Sequence, residues 1–331
     1  MLFGEIAMKT FQDLKYNIKH KWGTQLALCA AYFILIIVFS FASPVFFTMR
    51  NFMNILSYSS VIGVTAVAMC FGIISGSLDL SVGSVIALTG IAIAQVIPHV
   101  GTFWAIVAGL GVGAACGAFN GFIITKCKIV PMIATLGTMS VFRGATYLLA
   151  DGKSIMIRED AFKRIGRAHV GGVLPVPVII LIVAFIIGWI VLNKTVFGRT
   201  LYSVGGNSKA SYLAGINIKR NRFVTFILIS MMAAVSGIVS TAQTGSGIPQ
   251  AATGTELDIV AAVILGGTSL AGGKGSMVGT FVGLLILTTL SNGMVLLGIQ
   301  SFWQMVAKGA VLILAVYIDV LRGGGFERFE A

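Results

Sequence analysis

Long apolar runs, cut by short polar breaks, set the plan of this chain. At 1.5 Å per residue, roughly 20 apolar residues carry a helix across a bilayer core. The pattern predicts ten segments. They run from about Thr24 to Ala42, Ile55 to Ser75, Ser84 to Ile97, Thr102 to Thr125 and Ile129 to Leu149. The second set is Pro175 to Asn193, Phe223 to Thr244, Leu257 to Leu270, Met277 to Ile299 and Ser301 to Val320. The third is short and reads as a half-helix, turned by Pro98 and Gly101. The expected fold is all-α, a polytopic membrane helical bundle of about ten transmembrane helices, some of them short or broken. Residues 1–331 form one membrane domain in this reading.

Glycines at 109, 113, 117 and 121 fall every fourth residue, on one helix face, and predict a groove for a neighbouring helix. Two polar stretches interrupt the apolar pattern most. Residues 194–222 carry Lys194, Arg199, Lys209, Lys219, Arg220 and Arg222 with no acid, as expected of a cytoplasmic loop. Residues 151–176 mix five basic residues with Asp151, Glu159 and Asp160 and are external by alternation. The basic residues outside the spans divide 15 to six in favour of one side, which places both termini in the cytoplasm. The basic flank of the first span imitates a signal peptide, but the bulky SPVFFTMRNF that follows offers no cleavage site. Met8 is a second candidate start.

Composition agrees: 57% of the 331 residues are hydrophobic and 10% are charged, far below a soluble domain. The net charge of +12 does not point to nucleic acid, because the basic residues lie in short loops where they set topology. Cys29, Cys70, Cys116 and Cys127 lack redox or metal spacing, and His20, His99 and His169 fall in separate loops. The pattern therefore calls for neither a metal nor another cofactor.

Candidate chemistry is sparse. GGTSLAGGKGS imitates a phosphate loop, but Thr268 stands where the first glycine is needed and Gly275 follows Lys274 in place of a hydroxyl residue. Energy from ATP would have to come through another chain. Asp79, Glu256 and Asp258 are the acids nearest the hydrocarbon. They are either pathway or gate groups, or helix-end caps and structural ion-pair members, with capping or pairing the more economical reading. Ser81 follows Asp79 at a helix start. Arg143 either pairs with one of the acids or extends to the interface, and Asn120 bonds a neighbouring helix or a solute. No catalytic triad, HExxH or carboxylate pair is present, so an enzyme is not expected.

SGSLDLSVGS, after the second span, and GGTSLAGGKGS, after the eighth, are alike in punctuation, as paired broken segments at a transport site are. GSLDLSVGSVIALTG, VGGNSKASYLAGINIKRNR and ELDIVAAVILGGTSLAGGKGSMVGTFVG, in this order, resemble the permease subunits of bacterial ribose-type (simple sugar) ABC importers. The resemblance implies a permease of the bacterial inner membrane. Its partners would be a second permease copy, identical or closely related, ATP-binding-cassette ATPase subunits and an extracytoplasmic sugar-binding protein. It also implies that residues 194–222 are a coupling loop. Gly205 to Ile216 would be a short coupling helix touching the ATPase, with Gly205, Gly206, Asn207, Ala210, Leu213, Gly215 and Ile216 as its matching positions. The 151–176 loop would meet the binding protein. Two departures stand out: Ser208 replaces the acid that often follows GGN, and Ser77-Leu78 replaces Gly-Ile ahead of Asp79. An ion-coupled transporter using Asp79, Glu256 or Asp258, or a passive channel, stays open from the residues alone.

Overall fold

The computed structural model describes residues 23–322. The basic N-terminal segment and Arg328 of the tail lie outside the described residues. Helices dominate: α1 Gly23–Ala42, α2 Met49–Ile74, α3 Val82–Thr125, α4 Pro131–Leu149, α5 Asp160–Arg167 and α6 Val176–Lys194 come first. Then follow α7 Val196–Gly206, α8 Ser208–Leu213, α9 Ile218–Thr244, α10 Thr255–Leu265, α11 Met277–Leu296 and α12 Ser301–Arg322. Among the described residues six helices are long and apolar enough to cross a membrane: α2, α3, α6, α9, α11 and α12.

The centre is α2, most of whose residues are buried. It starts earlier than the apolar pattern suggests, because Thr48 accepts a hydrogen bond from the Asn51 amide and caps the helix before Met49. Around it pack α6, α9, α10 and α11, with α1 against α11 and α12 against α10. The largest core cluster joins α2, the first arm of α3 and α10.

Helix α3 is two arms in one. Gly101 has φ 74°, a left-handed conformation that breaks the helix just after Pro98. The arms fold back on one another: a Cβ at Gly109 would stand 2.7 Å from Ile93 and 3.1 Å from Thr89. The glycine row continues as expected. Gly113 lies against Ser230 and Ala234, Gly117 against Phe226 and Ile227, and Gly121 against Phe223. All of these neighbours belong to α9, whose backbone the row admits to close range.

Sequence expectation and structure part elsewhere too. Helix α10 has 11 residues and ends at Leu265, short of the predicted Leu270, because the glycine-rich loop begins at Gly266. Helix α9 starts at Ile218, with Asn217 capping through the Arg220 amide, so the last basic residues of the 194–222 stretch belong to a helix. The 151–176 stretch is built rather than open. Its strand β1 (Ile155–Met156) pairs antiparallel with β4 (Ser246–Gly247), and β2 (His169–Val170) pairs with β3 (Leu174–Pro175). Helix α5 buries Phe162 among Ile93, Ile97 and Ile238. Arg167 donates to the carbonyls of Gln243 (2.9 Å) and Thr244 (2.8 Å), closing the C-terminal end of α9 with a cation. Within α5, Lys163 pairs with Asp160 at 2.7 Å and holds that exposed carboxyl below its ordinary range.

Candidate functional site

Two structures gather the residues singled out in the sequence. One lies at the chain break between α2 and α3. Asp79 is fully buried there. Its Oδ1 accepts from the Ser81 amide (2.8 Å) and the Ser81 hydroxyl (2.6 Å), and its Oδ2 from the Asn120 amide group (3.3 Å). Asn120 also donates to Ser81 Oγ at 2.9 Å. The triangle Asp79, Ser81, Asn120 therefore ties the start of the first α3 arm to the far end of the second. Asn120 thus bonds the start of the neighbouring arm, as one of its two expected roles. The carboxylate finds only neutral donors and the start of α3, whose amides favour negative charge.

The acids of α10 behave differently. Asp258 accepts from Lys308 of α12 at 2.7 Å, each about one-fifth exposed. Glu256 accepts from the Gly254 amide (3.2 Å), two residues upstream. It also stands over Gly83 of α3, where an added Cβ would overlap its carboxylate and approach the Ala252 carbonyl to 2.6 Å. The starts of α3 and α10, from opposite halves of the chain, thus meet face to face. Arg143 of α4 donates to the carbonyls of Pro249 (2.7 Å) and Ala251 (2.9 Å), holding the turn that leads into α10. Among the described residues it forms no ion pair with an acid. Asp79 and Arg143 are not brought together as partners.

The second structure is the polar hairpin at the opposite end of α9 from α5. The expectation of one coupling helix from Gly205 to Ile216 needs correction. Gly205 and Gly206 end α7, and Asn207, extended at φ −154°, opens α8 by accepting from the Ala210 amide at 3.0 Å. Thr195 caps α7 in the same manner through Gly198. Helix α8 presents Tyr212 and Leu213, 70% and 85% exposed, and ends at Leu213, followed by Ala214, Gly215 and Ile216. Asn221 of α9 donates to Thr200 of α7 at 2.8 Å, so the hairpin is pinned to the helix that follows it.

Its seat is backbone on backbone. A Cβ at Gly205 would overlap the Ile74 carbonyl at the end of α2 and lie 2.6 Å from the Gly273 amide. Gly273 itself donates to Ile74 O at 2.8 Å, and Tyr202 donates to Gly275 O at 2.9 Å. Burial pushes the Tyr202 phenol up to about 12, so it remains a donor through the physiological range. On its far side the glycine-rich loop reaches α12, where Asp319 accepts from Ser269 Oγ (3.0 Å) and the Leu270 amide (3.1 Å). GGTSLAGGKGS is thus a junction of α2, α7 and α12. Sequence reading missed this role and Tyr202 with it; glycine density beside an aromatic in a polar stretch was the available signal.

Over residues 51–316 the chain matches the family described as branched-chain amino acid transport system / permease component. The chain belongs to this permease family. Among its relatives, the ribose import permease of Bacillus subtilis (strain 168) is 43% identical over 306 residues, covering 92% of this chain and 94% of that protein. The L-arabinose transport system permease of Escherichia coli (strain K12) is 38% identical over 296 residues, covering 89% and 90%. A probable ABC transporter permease of the same strain is 38% identical over 299 residues, covering 90% of each. No solved structure matches the permease. These relatives do not favour the ion-coupled alternative, and within the permease Asp258 is already neutralised by Lys308.

Proposed function

We propose that this permease is the membrane-spanning subunit of an ATP-binding-cassette importer that moves a simple sugar, ribose or a close relative, into the cytoplasm. The relatives named for ribose and arabinose import support the sugar class. The observation that carries the mechanism is the seat of the α7–α8 hairpin. A mobile loop would absorb a push from below. This one meets α2 and the glycine-rich loop through main-chain atoms, which have no rotamers to yield. Displacement of α8 passes to the end of α2, and from there to the break that holds Asp79.

The remaining assignments follow from that reading. The ten apolar segments span the inner membrane, counting both α3 arms and the short α10. Both termini and residues 194–222 face the cytoplasm, and residues 151–176 face outward. An ATPase subunit docks on Tyr212, Leu213 and the groove beside Gly215, Ile216 and Arg220. A sugar-binding protein docks on the built 151–176 cap. A second permease copy covers the outer face of α4, and the ATP chemistry resides on the partner chain. ATP binding and hydrolysis drive transport because the partner binds inward- and outward-open states with different affinity.

The test is uptake of labelled D-ribose by vesicles holding the permease with its ATPase subunit and binding protein. Uptake requires ATP and all three components. Gly205→Val abolishes uptake while ATP hydrolysis continues, since the added methyls displace the seat. Uptake driven by a proton or sodium gradient without ATP overturns the reading.

A further inference from the structure

The meeting of α3, α4 and α10 leaves an open cavity of about 400 Å³. That is within the roughly 300–1,000 Å³ of small-molecule sites. Six of the eight residues around it carry polar side chains, namely Ser84, Ser140, Arg143, Tyr147, Thr253 and Glu256, set in a wall whose surface is otherwise mostly apolar. In a membrane bundle this is an anomaly, because polar and charged groups at lipid depth are expensive unless they serve a pathway or pair with one another. The comparison within the molecule is direct. The cavity between α6 and α11 is lined by Ile182, Phe185, Ile186, Trp189, Met277, Val278 and Phe281 and carries no polar side chain except the edge of the indole.

Arg143 and Glu256 line the polar cavity together, yet no ion pair joins them; among the described residues the ion pairs are Lys163–Asp160 and Lys308–Asp258. Arg143 is not idle, since one guanidinium nitrogen holds the Pro249 and Ala251 carbonyls. That leaves Nε and the other terminal nitrogen with no hydrogen bond among the described residues. Glu256 is likewise fixed through one oxygen on the Gly254 amide. A cation and an anion on the same wall are thus each anchored on backbone, with no ion pair between them. The guanidinium only donates, the carboxylate only accepts, and the hydroxyls of Ser140 and Tyr147 do both. A molecule rich in hydroxyl groups, each both donor and acceptor, satisfies such a mixed wall. The opposite charges cancel, so the space does not select an ionic ligand.

We infer that this cavity is a contact site for the permeating solute, and that it takes a neutral polyhydroxylated molecule of monosaccharide size. The inference rests on the importer reading above. It adds Ser84, Ser140, Tyr147 and Thr253 to Arg143 and Glu256 as the residues along the path. Broken helices whose ends meet within the membrane are a recurrent way of presenting such sites.

The test uses the complete importer in vesicles, with Ser140→Cys in the permease and a small hydrophilic thiol reagent. Cys127 is exposed and lies outside the cavity, so it serves as the internal control. D-ribose, L-arabinose and D-galactose are each supplied with ATP. The transported sugar slows alkylation of the thiol introduced by Ser140→Cys at least fivefold and leaves Cys127 unchanged. Gly144→Cys, in open space on the same wall, repeats the measurement if the first variant does not insert. If a sugar is taken up with ATP but alkylation at both positions is unaffected, the cavity is not on the path and the inference falls alone. If none of the sugars is taken up with ATP, the importer reading falls and the inference with it.

Discussion

The chain breaks its helices ahead of both α3 and α10, and both breaks carry carboxylates, but the two are finished in opposite ways. Ahead of α3, Asp79 is sealed from solvent and bound by three donors from Ser81 and Asn120. At the start of α10, Glu256 borders an open cavity and Asp258 leans on Lys308 from another helix. The first arrangement is a clamp, closed within one hairpin. The second is an assembly of elements from different parts of the chain, with room left between them. Acidity near a membrane helix start therefore does not define a role; the number and origin of the donors does.

That contrast predicts a ranking. Asp79→Ala strands buried donors on Ser81 and Asn120 and should destabilise by about 3 kcal/mol, read as a drop in thermal midpoint in detergent; an unchanged midpoint would remove the clamp. Lys308→Ala should cost about 1–2 kcal/mol, since the pair it breaks is partly screened. Because Asp258 is then left alone, the double change Asp258→Ala with Lys308→Ala should recover part of the loss, by about 1 kcal/mol in a double-mutant cycle. Strict additivity would show that the pair contributes nothing. Glu256→Gln keeps an acceptor for the Gly254 amide, so folding should shift by less than about 0.5 kcal/mol. Sugar uptake should nonetheless fall roughly tenfold, the worth of one charge-assisted hydrogen bond. Equal uptake would make the α10 end as purely structural as the α3 end.

The smallest effect belongs to Lys163→Ala, far from either break. Lys163 holds the Asp160 carboxyl low. That preference favours the folded state above the ordinary carboxylate range and disappears as pH falls through the depressed value. Removing Lys163 should move Asp160 up toward ordinary titration, seen by NMR, with no change in thermal midpoint beyond error. A measurable change there would mean that exposed pairs in the cap matter more than their screening allows.

Much of the fold was legible because it is written locally. Apolar runs mark helices, Pro98 and Gly101 mark the α3 turn, and the four-residue glycine spacing marks the face that α9 covers. The candidate site was legible only as a roster. Asp79 and Asn120 are separated by 41 positions, and Asp258 and Lys308 by 50, so no local pattern announces either contact. Arg143 could be expected to seek an acid, but two carbonyls of the turn before α10 supplied a competing partner that the sequence does not advertise. Helix α7 went unread because VFGRTLYSVGG is short and holds three glycines, and its helicity depends on the Thr195 cap and on packing against α2 and α6.

The seat of Gly205 has a consequence for how such a subunit can change over time. Main chain resting on main chain has nothing to trade: almost any new side chain at that point intrudes on Ile74 or Gly273. The outward face of α8, by contrast, shows Tyr212 and Leu213 to whatever lies beneath. On the proposed importer reading, the hairpin would separate a fixed hinge plate from an interchangeable handle. A different engine could then be fitted by altering a few exposed side chains, while the path proposed for its stroke stays as it was.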